Sequence, residues 1–334
     1  MEKQFIKLSN GETIAYLKHG KGKNVLVAIH GNMASSVFMK PFFELEDYTV
    51  ICPDLRGFGD SSYNTPIESL NDLATDVYLL CKELKVDSAH VLGWSLGGGV
   101  AMSLVGLYPD FAKTLTLMSS ASCMGYQLFG QSKEGSFYAY KTKEDMKFSS
   151  AVFGNLQALE CGNKAYFDAA FRSVIYTVKL PEPQEYELQL QETLKQRNLL
   201  DADWALARLN ITNTKSYYSE GNGLIDNITC PVMITAGDSD YIVFPFMTDQ
   251  NIQHFGSKAI YKKYSKSGHA PMIDKKEEFM ADLKAFLAQA DKQKSTKTDA
   301  TKQKTTKTAK TSTKSTKTVA KKTTKSTKKT KTED

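Results

Sequence analysis

Short apolar runs and stretches with helical spacing alternate through the first 120 residues. Residues 4–18 alternate apolar and polar side chains around Asn10-Gly11, the pattern of two strands joined by a tight turn. Residues 24–29 and 48–52 are nearly continuous apolar runs, as expected of strands covered on both faces. Between them Ser35 or Ser36 is placed to cap a helix through about Glu46. Ser69 and Asp72 form a capping signal, and Leu70, Leu73, Ala74, Val77, Leu80, Cys81 and Leu84 then recur at helical spacing, which predicts a helix over 69–84. His90 to Met102 reads as strand, sharp turn and helix, the helix covering Leu96–Leu107 and stopping at Tyr108-Pro109. Strands are also expected at 113–118, 231–236 and 259–264, with helices to about His254 and over 276–290. Such alternation implies an α/β fold, a mostly parallel central sheet covered by helices on both faces.

The alternation stops after Ser122. Residues 123–223 read as helical and irregular, rich in Phe and Tyr and broken at Pro181 and Pro183, before the strand–helix rhythm resumes. The expected organisation is a core formed by 1–122 and 224–290, with 123–223 a helical cap or lid over the carboxyl ends of the strands, where open α/β sheets bind ligands. Of its aromatics (Phe129, Phe137, Tyr138, Phe148, Phe153, Tyr166, Phe167, Phe171, Tyr176 and Trp204), most are expected to form the lid's own core, with two or three facing a ligand.

Charge changes this picture only at one end. The net charge of +6 is uneven: residues 291–334 hold 15 Lys against 4 acids, which leaves the rest of the chain at −5. That segment of Lys, Thr and Ser cannot bury enough apolar surface to offset chain entropy, so a disordered basic tail is expected. It would serve either as a solubilising extension or as a contact for a polyanion such as nucleic acid or polyphosphate. The five cysteines (Cys52, Cys81, Cys123, Cys161, Cys230) are scattered and contain no C-x-x-C pair, which points to neither a disulfide framework nor a zinc site. The opening MEKQFIKLSN lacks the apolar stretch of a signal peptide, and no run approaches the roughly 18 apolar residues of a membrane span. A reducing cytoplasm is the expected setting.

The candidate chemistry centres on Gly93-Trp94-Ser95-Leu96-Gly97. A serine at a sharp strand-to-helix turn has a strained backbone, and its glycine neighbours remove side chains that would collide there. The hydroxyl then lies at a helix N-terminus, where free N–H groups favour negative charge. Serine needs a base, and the base an orienting carboxylate. Among five histidines, His19, His90 and His254 fall within predicted elements, and His30 ends a buried strand and packs or hydrogen-bonds beneath the next loop. His269 lies in the loop 266–271 after the last predicted strand, on the same sheet edge as Ser95. The loop after 231–236 offers Asp238 and Asp240; Asp240, further out, is the better orienting acid, and Asp238 beside Gly237 the better turn former. Two backbone donors for a developing oxyanion are expected from Leu96, after the serine, and from the loop 30–33, where Asn32 is favoured over Met33. Trp94 either lines an acyl pocket or packs in the core, and a strand-flanked elbow residue favours packing.

His30-Gly31, Asp54-Leu55-Arg56-Gly57-Phe58-Gly59-Asp60-Ser61, Gly93-Trp94-Ser95-Leu96-Gly97-Gly98, Gly237-Asp238-Ser239-Asp240 and Gly268-His269-Ala270-Pro271 occur in that order. With them the chain, over about 3–290, resembles the α/β-hydrolase fold superfamily in its serine esterase, lactonase and cofactor-free haloperoxidase-like branch. The resemblance implies Ser95, Asp240 and His269 as catalytic residues, Asn32 and Leu96 as the oxyanion hole, and a structural role for Arg56 to Ser61. Ser at position 95 argues against the branch with an Asp nucleophile. The expected function is hydrolysis of a small to medium hydrophobic carboxylic ester, thioester or lactone through an acyl-enzyme, with no metal and no organic cofactor. The alternatives are C–C bond hydrolysis and non-catalytic binding of a small ligand on the same fold.

Overall fold

A computed structural model describes residues 2–292. The compact unit that carries the fold ends at Leu287. Asp291 and Lys292 are helical; the remainder of the expected basic tail lies outside the described residues.

Among the described residues ten strands occur in chain order. β1 (Gln4–Lys7) and β2 (Thr13–His19) form the expected antiparallel hairpin, with Gln4 opposite Tyr16 and Lys7 opposite Thr13. β3 (Asn24–Ile29), β4 (Tyr48–Pro53), β5 (Ala89–Trp94) and β6 (Ala112–Met118) come next. A separate small hairpin joins β7 (Phe129–Gln131) to β8 (Phe137–Ala139), and β9 (Val232–Gly237) and β10 (Ala259–Tyr264) complete the set. The main sheet has eight strands in the order β1-β2-β4-β3-β5-β6-β9-β10, and every pairing from β4 to β10 is parallel. Its central strands are buried because their apolar runs supply both faces at once. Val27, Ile29, Val91, Leu115, Leu117 and Ile234 face one way, into a core shared with helices α1 (Leu70–Glu83) and α2 (Leu96–Leu107). Their neighbours Leu26, Ala28, Leu92 and Met233 face the other way, against Val37, Phe38, Phe42, Phe279, Leu283 and Leu287. The edge strand β10 keeps Lys262 and Lys263 exposed, a charge pattern that discourages another strand from pairing there.

Helix α1 begins as its sequence predicts, with a capping box between Ser69 and Asp72. The helix expected after Ser35 is instead a 3-10 helix, Ser36–Glu44, capped by the Ser35 hydroxyl accepting from the Val37 N–H. Pro41 within it lacks an N–H and cannot complete an α-helical ladder, which favours the tighter turns.

Between β6 and β9 lie α3 (Lys143–Lys147), α4 (Ser150–Glu160), α5 (Lys164–Ala170), α6 (Pro183–Thr193) and α7 (Leu199–Ala207). A single π-helical turn, Phe171–Ile175, extends α5, with the Tyr176 N–H donating to the Phe171 carbonyl at 2.8 Å. The aromatics here depart from expectation. Phe167, Phe171 and Tyr176 are buried, but Phe129, Phe137, Tyr138, Phe148, Phe153 and Tyr166 are exposed, Phe137 to 74%. The core beneath β7, β8, α3 and α4 has Met146, Val152 and Ala207 fully buried, with Leu128, Tyr140, Leu156, Leu200, Trp204 and Tyr218 half-buried against them, and leaves no room for six more rings.

The turn between β5 and α2 is a tight junction. Ser95 has φ 56° and ψ −121°, a conformation that costs a non-glycine residue roughly 1–3 kcal/mol. It is held by the Ser95 N–H donating to the Met118 carbonyl (3.1 Å) and by its own carbonyl accepting from Gly98 (2.9 Å) and Ala121 (3.2 Å). A Cβ at position 97 would lie 2.3 Å from the His30 carbonyl oxygen and 2.4 Å from that of Ile29. Those are backbone atoms of β3 and its exit and cannot swing aside. Gly97→Ala is therefore expected to destabilise the protein by more than about 3 kcal/mol, the range of severe core overpacking. Thermal unfolding checks this, and a midpoint within two degrees of the parent would show that the junction has slack.

Candidate functional site

Four loops at the carboxyl end of the parallel sheet converge: those after β3, β5, β9 and β10, which carry Asn32, Ser95, Asp240 and His269. Ser95, Asn32 and His269 line one cavity of about 210 Å³, together with Gly31, Met33, Trp94 and Ile242. Its remaining wall comes from the chain between β6 and β9: Tyr126, Leu128, Ala151, Val152, Asn155, Ile175, Asp203 and Leu206. None of the ten aromatics singled out in that segment lines the cavity; Tyr126, which was not among them, does. Gly31 lies directly against the serine, since a Cβ there would sit 3.1 Å from Ser95 Cβ.

Asp240 stands behind His269, off the cavity wall. The His269 Nδ1 is 2.9 Å from Asp240 Oδ2 and 3.1 Å from Oδ1, and both side chains are almost fully buried. A proton on Nδ1 is thus donated to the carboxylate, which leaves Nε2 as the basic nitrogen. Burial pushes the Asp240 carboxyl up, but the His269 ring and the N–H groups of Val243 (2.9 Å) and Ile242 (2.8 Å) outweigh it and hold it below the usual range. Asp238 is exposed and accepts from the Ser239 hydroxyl and the Ser267 N–H, so it braces the turn. The Trp94 indole N–H donates to the His269 carbonyl (2.9 Å), and its ring lies 5.4 Å from the imidazole. Trp94 therefore both packs and lines the cavity. Asp274 fixes the same loop by accepting from the Gly268 N–H at 2.7 Å.

His30 is committed elsewhere. Its Nδ1 donates to the Gly31 carbonyl (2.7 Å) and its Nε2 accepts from the Leu55 N–H (3.0 Å); burial lowers its pKa to about 4, so it stays neutral. Of the two donors weighed in the loop after β3, the Met33 N–H is already taken by Asn32 Oδ1 (3.1 Å) and Gln196 Oε1 (3.0 Å). The N–H groups of Asn32 and of Leu96, the first residue of α2, have no acceptor among the described residues.

Sequence reading missed Asp203 and Gln196. The Gln196 amide donates to Asn32 Oδ1 (2.9 Å), and the Asn32 amide donates to Asp203 Oδ1 (2.7 Å). Asp203 had a detectable signal: with Leu199 and Leu206 it forms an i, i+4, i+7 set, a carboxylate on an otherwise apolar helix face. Burial raises its pKa to about 7, with the Asn32 hydrogen bond pulling only weakly the other way.

One trio of carboxylates among the described residues, Asp54, Asp60 and Glu192, is close enough to share a cation. The Lys3 ammonium already sits at its centre, 2.7 Å from both Asp54 and Asp60 and bonded to Glu192, so the trio is a salt-bridge cluster. Arg56 is likewise structural, forked onto Asp76 with two 2.7 Å bonds.

The raised pKa of Asp203 has a consequence for stability. Its folded-state pKa lies above the unfolded value, so the fold is favoured while the carboxyl is protonated and loses stability as pH rises from about 4 toward 7. Asp203→Asn keeps the shape without the charge. Relative to the wild type it should gain roughly 2–3 kcal/mol between pH 5 and pH 8, read as several degrees in the difference of thermal midpoints. An equal difference at both pH values would place the ionisation elsewhere.

The chain matches the family model described as alpha/beta hydrolase fold over residues 24–276. It is 25% identical over 290 residues to Lipase 1 of Psychrobacter immobilis, spanning 86% of this chain and 84% of that protein. It is also 32% identical over 131 residues to the dihydrolipoyllysine-residue acetyltransferase component of the acetoin cleaving system of Pseudomonas putida, a match that covers 38% of this chain and only 35% of that protein. Among solved structures, an esterase from Thermogutta terrifontis superposes with a TM-score of 0.65 at 19% identity, covering 87% of this chain and 99% of that one. Among the described residues no helix is long and apolar enough to cross a membrane. The family match takes in β3 and its exit, the serine turn, Asp240 and His269 alike, and on it the chain belongs to the alpha/beta hydrolase fold family.

Proposed function

We propose that the protein is a serine hydrolase that cleaves carboxylic esters of small acyl groups through an acyl-enzyme on Ser95. The observation that carries this reading is the placing of Ser95 and His269 on one cavity wall, with Asp240 hydrogen-bonded to the far side of the imidazole. The similarity to a lipase along most of both chains supports the reaction class. Within residues 123–223, the segment between β6 and β9 acts as a lid, since it supplies more than half of the cavity's lining.

In the proposed reaction Ser95 Oγ attacks the ester carbonyl carbon while His269 Nε2 takes the hydroxyl proton. The carbonyl π electrons move onto oxygen, and the resulting oxyanion is received by the N–H groups of Asn32 and Leu96, whose free state suits them to this. Asp240 holds the imidazole in the required tautomer and offsets the charge of the imidazolium. Collapse of the tetrahedral species breaks the bond to the alkoxy oxygen, which leaves with the proton from His269. A water then repeats the sequence on the acyl-enzyme, releasing the acid and restoring Ser95. Binding energy enters only where it matters: a preformed oxyanion site stabilises the transition state more than the substrate.

The cavity volume bears on size. About 210 Å³ falls below the ~300–1,000 Å³ typical of drug-sized ligand sites, so short acyl groups fit and long ones do not. Across a p-nitrophenyl ester series kcat/KM is expected to be highest from acetate to hexanoate and at least tenfold lower for palmitate. Undiminished turnover of palmitate would show that the lid opens far more than this arrangement requires.

Ser95→Ala and His269→Ala are expected to lower kcat by several orders of magnitude, the scale on which such residues act as a unit. Asp240→Asn should lower it by up to about 10⁴-fold, because the wrong tautomer becomes favoured. A fluorophosphonate probe should label the wild type and not Ser95→Ala. Labelling and steady ester turnover by Ser95→Ala would overturn the assignment.

A further inference from the structure

Asp203 is not needed for the chemistry just described, yet it lines the same cavity as Ser95 and His269. A carboxyl placed among Trp94, Val152, Ile175 and Leu206 is costly unless hydrogen-bonded. Only half of it is satisfied: Oδ1 accepts from the Asn32 amide at 2.7 Å, while no donor among the described residues reaches Oδ2. The satisfied oxygen is firmly held. Asn32 is itself gripped by Gln196, which donates onward to Asn198 Oδ1 at 3.0 Å, and Asn198 donates to the Arg56 carbonyl at 2.7 Å. The chain of amides fixes the direction of the carboxyl and leaves one acceptor presented to the cavity. Asn32 also carries the N–H that the proposed mechanism assigns to the oxyanion, so this acceptor is one side chain away from the place where the scissile carbonyl would bind.

We propose that Asp203 is a specificity-determining residue whose free oxygen receives an N–H donor carried by the substrate close to the scissile carbonyl. The proposal rests on the esterase reading of the site and narrows it, from simple short-chain esters to esters of acids bearing an amide N–H or an ammonium group near the carbonyl. The ionised carboxylate is acceptor-only and pairs with either. A substrate that lacks the donor but displaces water from the cavity leaves this oxygen unpaired, which is the condition under which a polar site discriminates most strongly.

Two esters of one size separate this role from a merely supportive one. Phenyl N-acetylglycinate carries an N–H where phenyl levulinate carries a methylene, and phenyl glycinate presents an ammonium. The quantity read is the ratio of kcat/KM for the glycinate esters over levulinate, compared between wild type and Asp203→Asn, so that intrinsic ester reactivity cancels. In Asp203→Asn the amide oxygen still accepts from Asn32, but an NH₂ group stands where Oδ2 stood and meets the substrate donor with another donor. The ratio is expected to fall at least tenfold in the variant, for N-acetylglycinate if the amide donor is recognised and for glycinate if the ammonium is. An unchanged ratio for both esters, with all rates lowered together, would make Asp203 only a positioning residue for Asn32 and overturn the proposal. An independent measurement needs no variant: N-acetylglycinamide should inhibit the wild type at least tenfold more tightly than levulinamide, and equal inhibition with no glycinamide preference would also overturn it. Failure of the esterase reading shows separately, as fluorophosphonate labelling of Ser95→Ala.

Discussion

The site depends on a single close approach of backbone to backbone. Ser95 can keep φ 56° only because α2 starts hard against the end of β3, with no Cβ at 97 to hold the two apart. That contact fixes three things together: the direction of the serine hydroxyl, the height of the α2 N-terminus, and the distance from Ser95 to the loop that begins at His30. The serine is thus aimed by the packing of the sheet rather than by its own side-chain partners. The local strain is small beside the burial of β3, β5 and α2, which enforces it.

A second layer of order is polar. His30 pins its own loop to Leu55, Trp94 and Asp274 pin the loop of His269, and Asp240 turns the imidazole. His30, Trp94 and the Asp240 side chain are buried, Asp274 is half-buried, and each has its partners, so the loops around the cavity are fixed without a large apolar core of their own. The segment between β6 and β9 joins this network through Gln196, Asn198 and Asp203, which couple its helices to the loop after β3.

The legibility of each group in the sequence depends on where it lies. Ser95, Asp240, His269 and Asn32 sit one to five residues beyond runs that become strands, and strand ends in a parallel sheet share an edge whatever the details of packing. Their convergence is legible for that reason, as are the hairpin around Asn10 and the capped start of α1. Asp203 and Gln196 belong to a region whose placement over the sheet is set by tertiary docking, and a helical period gives the face of a helix but not the surface that face meets. Six of the ten aromatics depart from expectation on the same ground. Phe and Tyr are ordinarily core formers, but short helices and a hairpin with three residues per strand enclose too little volume to hide them. The 3-10 helix after Ser35 reflects Pro41, whose effect on the ladder a capping signal alone does not reveal.

The π-helical turn at Phe171–Ile175 sets the phase of the backbone beyond it. A turn with one residue more than an α-helix lets Phe171 enter the core while Ile175 reaches the cavity wall. Removing one residue from it would restore α geometry and rotate the downstream backbone by about 100° about the helix axis. Ile175 would then leave the cavity and a different side chain would take its place, with the serine turn untouched. Change in the length of the chain by one residue, and not only change in its side chains, is therefore a route by which the bore of this cavity can vary among proteins that share the sheet.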